Sequence, residues 1–74
     1  MQTLWFKGIY VAPILDGSKR KTDRTRKCKL QPGDVVGASV GPRPAFAVLK
    51  ITSREETDDA DEPIRLHFDV LSSQ

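Results

Sequence analysis

Turn residues recur closely along this chain, and the segments between them read as short strands and one or two helical turns. Gly8, Gly17, the run Gln31-Pro32-Gly33-Asp34 and the run Gly41-Pro42-Arg43-Pro44 each interrupt the backbone. Glycine admits conformations closed to other residues, and proline lacks an N–H and fixes its own φ. What lies between them reads as strands. Residues 3–7 are rich in aromatics, and residues 20–27 permit an extended chain. Residues 35–40 follow a turn, and residues 45–52 are apolar on both faces, which predicts the most buried strand. In the last segment Ile64, Leu66, Phe68 and Val70 alternate with Arg65, His67 and Asp69, the period of a strand with one apolar face. Residues 11–16 fit one or two helical turns, with Pro13 in the first turn, Gly17 as the stop, and Ile14 and Leu15 facing the core. Five short strands and one short helix predict a mostly β (α+β) fold, a small, mostly antiparallel barrel.

Seventy-four residues allow one domain, spanning 1–74. A chain of this size buries only about 60% of its unfolded surface, so a shallow cleft or charged groove is expected rather than a deep enclosed cavity. Cys28 is the sole cysteine and His67 the sole histidine. No intrachain disulfide can form, and neither a structural metal nor another cofactor is expected. With no charged-then-apolar leader and no apolar run near 18 residues, the expected setting is cytoplasmic, away from membranes.

The net charge of +2 hides a strong segregation. Residues 18–29 hold seven Lys and Arg against Asp23, giving +6, whereas residues 55–62 hold six acids and no base, giving −6. The basic segment suits an anion, and the abundant large anion of a cell is nucleic acid. The acidic run cannot pack and predicts a loop, read either as a solvated turn or as a shield for the basic face. Within the basic segment, alternation sets Thr22, Arg24 and Arg26 on one face and Lys21, Asp23 and Thr25 on the other.

The order Ile14-Leu15, then Gly17-x-Lys19-x-x-Thr22-x-Arg24, then Pro32-Gly33-Asp34-Val35-Val36 and an apolar strand resembles the ASCH domain of the PUA-like superfamily. The resemblance covers residues 3–52, with the last strand compatible. It implies a barrel of five or six strands with a cleft floored by the Gly-x-Lys motif, and a partner that is RNA or a modified nucleoside. A small bacterial branch of that family resembles an amidohydrolase that removes acetyl groups from N4-acetylcytidine using a Lys, a Thr and a Glu. Lys19 and Thr22 match that branch by position. The acidic residue more usual at position 22 is absent, which favours this branch. The segment that carries its Glu is shortened here to the acidic loop, leaving Glu55 and Glu56 as candidates for the third carboxylate.

As a binding site, Arg24 offers a planar fork for phosphate or a base edge, Lys19 a mobile point charge, and Lys21, Arg26 and Lys27 would extend the contact along a nucleic-acid backbone. Phe6 is expected in the core, whereas Trp5 and Tyr10 suit either the core or stacking on a base. As a catalyst, Thr22 would need its proton taken by Lys19, with the surrounding positive charge and desolvation lowering the lysine pKa. Arg24 would then steady an oxyanion. His67 is expected on the outer face of the last strand. Cys28 is read as inert, with the neighbouring cations a reason to test its reactivity. Three functions follow: a module binding RNA or a modified nucleotide, an N4-acetylcytidine amidohydrolase, or an accessory module whose charged face docks on another protein.

Overall fold

β1 (Gln2–Trp5) opens a computed structural model that describes residues 2–73. A single 3-10 turn, Gly8–Tyr10, leads into α1 (Val11–Asp16), which ends at Gly17 in the left-handed region at φ 86°, its N–H donating to the Ile14 carbonyl. This is the stop expected of a glycine just past a helix. The remaining strands are β2 (Lys21–Arg24), β3 (Val35–Ser39), β4 (Ala47–Glu56) and β5 (Ile64–Ser73).

The five strands form one curled sheet in the order β1-β3-β4-β5-β2, a half-barrel whose edges, β1 and β2, do not pair with each other. The fold is mostly β with one short helix, as the spacing of turn residues predicts. The sheet is mixed, however, rather than wholly antiparallel. β1 runs parallel to β3, from Gln2↔Val36 to Trp5↔Ser39. Parallel neighbours need a crossover, and here the chain passes through α1 to the opposite edge, lays down β2, and returns through residues 25–34.

The hollow side of the curl is filled by Leu4, Val36, Ala38, Ala47, Leu49, Ile51, Ile64, Leu66 and Phe68, capped by Ile14 from α1 and Leu30 from the return segment. Phe6 packs edge-on against both Phe46 and Phe68. The Gly33-Asp34 turn is stitched to the sheet: Gly33 N–H donates to the Ile51 carbonyl, and Ile51 N–H to the Asp34 carbonyl. Gly33 has φ 97°, which a side chain would strain.

Several boundaries depart from the sequence reading. β4 alternates rather than being buried on both faces: Leu49 and Ile51 point inward, while Lys50 and Thr52 are exposed. It also runs on through Glu55 and Glu56, so the acidic loop starts at Thr57. Pairing with Arg65 and Ile64 of β5 holds those two acids extended despite their charge. Arg26 and Lys27 lie in a turn beyond the end of β2. Leu15 and Val70 are exposed, not core. β5 is irregular after Val70, where the pairing with β4 skips Leu71. Among the described residues no helix is long and apolar enough to cross a membrane.

Candidate functional site

β2 is an edge strand of only four residues, and its two faces meet different surroundings. Its partner is β5, with Thr22 opposite Leu66 and Arg24 opposite Ile64. Because successive side chains point to opposite faces, Thr22 and Arg24 turn into the hollow of the curl. There a cleft of about 380 Å³ is bounded by Lys19, Thr22, Arg24 and Glu62 on its polar side and by Trp5, Phe6 and Tyr10 on its apolar side. Lys7 and the β2 residue Asp23 complete the rim.

The polar groups are fixed by aromatic rings and by each other. The Lys19 ammonium lies over the Tyr10 ring, 4.5 Å from its centre, and the Arg24 guanidinium lies 4.9 Å from the centre of Phe6. Both distances are those of cation–π contacts. Arg24 Nε donates to Thr22 Oγ1 at 3.3 Å. Thr22 is 8% exposed, so its hydroxyl is held at the floor of the cleft rather than hydrated at its mouth. Accepting a hydrogen bond from a guanidinium leaves that hydroxyl its own proton to donate.

Burial, reinforced by the positive charges of Arg24 and Lys21 and opposed by Asp23, holds the Lys19 ammonium below the ordinary lysine pKa of 10.5. Burial likewise lowers Arg24, with Cys28 and Glu62 opposing; a guanidinium stays charged regardless. The cleft therefore combines a partly desolvated cation that remains charged with a second whose charged form is less favoured than that of a free lysine.

Of the residues singled out from sequence, Lys19, Thr22 and Arg24 line this cleft, and Lys21, Arg26 and Lys27 do not. Lys21 sits on the outer face of β2, one residue out of phase. Arg26 is exposed and pairs with Glu56 at 3.4 Å. Lys27 borders a separate hollow. The basic segment is thus divided among several surfaces rather than forming one continuous face. Phe6 is in the core, Tyr10 packs partly against it, and Trp5 is 53% exposed at the cleft.

Neither candidate for the third carboxylate reaches the cleft. Glu55 Oε1 hydrogen-bonds His67 Nε2 at 2.8 Å on the outer face, and Glu56 holds Arg26. Besides Asp23, which is paired with Arg65, the carboxylate bordering the cleft is that of Glu62, which sequence reasoning did not single out. Local chemistry explains its position. Asp59 Oδ1 accepts from the N–H groups of both Asp61 and Glu62 at 2.8 Å, and Thr57 N–H donates to the Pro63 carbonyl. Pro63 is buried at the foot of β5, so the residue before it emerges beside Arg24, the partner of Ile64. The usable signal was Glu62 standing directly before a buried proline at the start of the last strand.

Cys28 is half-buried and packs against the core. Among the described residues no cluster of three or more His, Cys, Asp or Glu side chains is arranged to hold a metal ion. No family model matches the chain, and neither a curated protein nor a solved structure matches it.

Proposed function

We propose that the chain binds a modified nucleoside or nucleotide, free or within RNA, in the cleft between β2 and the aromatic residues of β1 and the 3-10 turn. One observation carries this reading: Lys19, Thr22 and Arg24 converge, partly desolvated, on a hollow of about 380 Å³ flanked by the exposed ring of Trp5. That volume is at the scale of small-molecule sites. It suits one base and its sugar rather than a length of strand. An indole at the mouth offers a base a stacking surface, and such stacks contribute about 1–3 kcal/mol. Arg24 and the Thr22 hydroxyl supply fixed hydrogen-bond donors to the base edge, and Lys19 and Glu62 supply one group of each sign. The resemblance to the ASCH domain points to the same class of ligand.

Titration of N4-acetylcytidine and cytidine against the protein by calorimetry tests this. Saturable binding of either, weakened at least tenfold in Arg24→Ala, is the expected result. No heat from either nucleoside would remove the proposal.

A second reading, hydrolysis of the N4-acyl amide, is favoured by Glu62 bordering the same cleft as Lys19 and Thr22. In this reading Thr22 Oγ bonds to the acyl carbon while its proton passes to the neutral Lys19 amine. Collapse of the tetrahedral intermediate, its oxyanion facing Arg24, breaks the C–N bond as the same proton is delivered to the departing N4. Water then attacks the acyl-threonine, giving its proton to Glu62, and acetate leaves as Thr22 recovers a proton. Because the reaction needs neutral Lys19, kcat/KM rises with pH on the alkaline side. Chromatographic conversion of N4-acetylcytidine to cytidine is the check, with Thr22→Ala, Lys19→Arg and Glu62→Gln all expected to lose turnover. Full activity in Thr22→Ala and Lys19→Arg rejects this chemistry and leaves the binding function standing.

A further inference from the structure

The cleft is not the only hollow that Arg24 and Glu62 border. A second, of about 540 Å³, opens on the other side of these two residues, in the gap where β1 and β2 fail to close the barrel. One wall is the free edge of β1 at Gln2 and Thr3, and the other is the return segment carrying Lys27 and Lys29. Resting on the reading of the cleft as a nucleoside site, we infer that this second hollow is a phosphate subsite, so that the ligand is a nucleotide whose phosphate lies against Arg24, Lys27 and Lys29.

Three features support the assignment. First, the charge is right: three cations face one carboxylate there, a local excess of two positive charges. Among the described residues neither Lys27 nor Lys29 makes an ion pair, whereas Arg26 between them is taken up by Glu56. Neither lysine that borders the hollow is therefore taken up by an internal acid. Second, the wall is built rather than loose. Arg54 Nη1 donates to the carbonyls of both Cys28 and Leu30, at 2.9 and 2.8 Å, and Cys28 N–H donates to the Thr25 carbonyl at 3.0 Å. Leu30 is buried. The backbone on either side of Lys29 is therefore anchored, and only the lysine stems remain free to adjust. Third, β1 pairs on one side only, with β3, so its other edge presents unpaired backbone groups toward the gap. Backbone N–H groups are ordinary phosphate donors alongside Lys and Arg.

Continuity through Arg24 also gives the guanidinium a reason to be shared. A planar fork can meet a base edge or sugar with one side and a phosphate with the other.

Calorimetric titration of cytidine, cytidine 5′-monophosphate and cytidine 3′-monophosphate, at about 50 and about 200 mM salt, tests the subsite. At least one monophosphate is expected to bind about tenfold tighter than cytidine at the lower salt, with the gap narrowing at the higher. The double variant Lys27→Ala/Lys29→Ala should bring the monophosphate down to the affinity of cytidine, while Lys50→Ala, on the outer face of β4, keeps the gap. If cytidine binds and neither phosphate adds affinity, the subsite is rejected and the cleft reading stands. Monophosphate binding that depends on Lys27 and Lys29 without any binding of cytidine upholds the subsite and rejects the nucleoside cleft. Binding of none of the three rejects both.

Discussion

The two faces of β2 are built from neighbouring residues of one basic segment, yet they differ in kind. On the inner face Thr22 is buried and Arg24 lies over the Phe6 ring, donating to the Thr22 hydroxyl. On the outer face Lys21 is exposed, and Asp23 makes a two-point pair with Arg65 at 2.9 and 3.4 Å. The inner charge is partly stripped of water and aimed at a hollow. The outer charges remain hydrated and largely cancel. Charge density along a sequence is therefore a poor locator of a site, because a one-residue step reverses the face and with it the dielectric that decides what a charge can do.

The comparison breaks most visibly if the inner face loses its support. Phe68 is almost wholly buried and packs edge-on against Phe6, beneath Arg24. Phe68→Ala should cost about 3–5 kcal/mol of stability, read from the shift in denaturant midpoint. Leu71→Ala, further along the same strand where the side chain is exposed, should cost at most about 0.5 kcal/mol. Equal losses at the two positions would mean that the core does not sit where the fold puts it.

Next in size is the contrast between the two cations of β2. Arg24→Ala should weaken nucleoside binding by about ten- to a hundredfold, the loss expected when a charge-assisted contact worth roughly 1.5–3 kcal/mol disappears. Lys21→Ala should change it by less than about twofold, as expected of an exposed charge beyond the cleft. Comparable losses would restore the picture of one continuous basic face.

The smallest effect concerns the outer face alone. The hydrogen bond from Arg65 holds Asp23 below its ordinary pKa of 3.8, and the bond with His67 holds Glu55 below 4.5. Since both are lower in the folded state than in the unfolded chain, their contribution to stability is complete above those ordinary values and is lost as pH falls through the folded ones. Stability measured by urea unfolding should therefore decline below about pH 4.5, and Asp23→Asn/Glu55→Gln should flatten that decline. An unchanged acid slope in the double variant would remove the outer pairs from the account.

Much of this arrangement was legible before any coordinates. The alternation of Ile64, Leu66 and Phe68, the helix stop at Gly17 and the Gly33-Asp34 turn are short-range signals, and each is realised. The convergence of Lys19, Thr22 and Arg24 follows from their spacing on one short strand and the loop before it. What escaped is long-range. The parallel pairing of β1 with β3 depends on where the chain crosses between the sheet edges, which no local pattern encodes. Glu62 escaped for a related reason. It lies far from Lys19 in sequence, and only the pairing of Arg24 with Ile64 brings the foot of β5 to the cleft. The resemblance left Glu55 and Glu56 as candidates instead, and the extension of β4 carries both to other partners.

Trp5 is the sole tryptophan of the chain and stands at the mouth of the cleft, so its intrinsic fluorescence reads occupancy directly. Titrating N4-acetylcytidine while following that emission should give a saturable change that vanishes in Arg24→Ala and persists in Lys21→Ala. An emission that stays flat up to solubility, or one altered alike in both variants, would contradict the claim that the inner face of β2 is the ligand site.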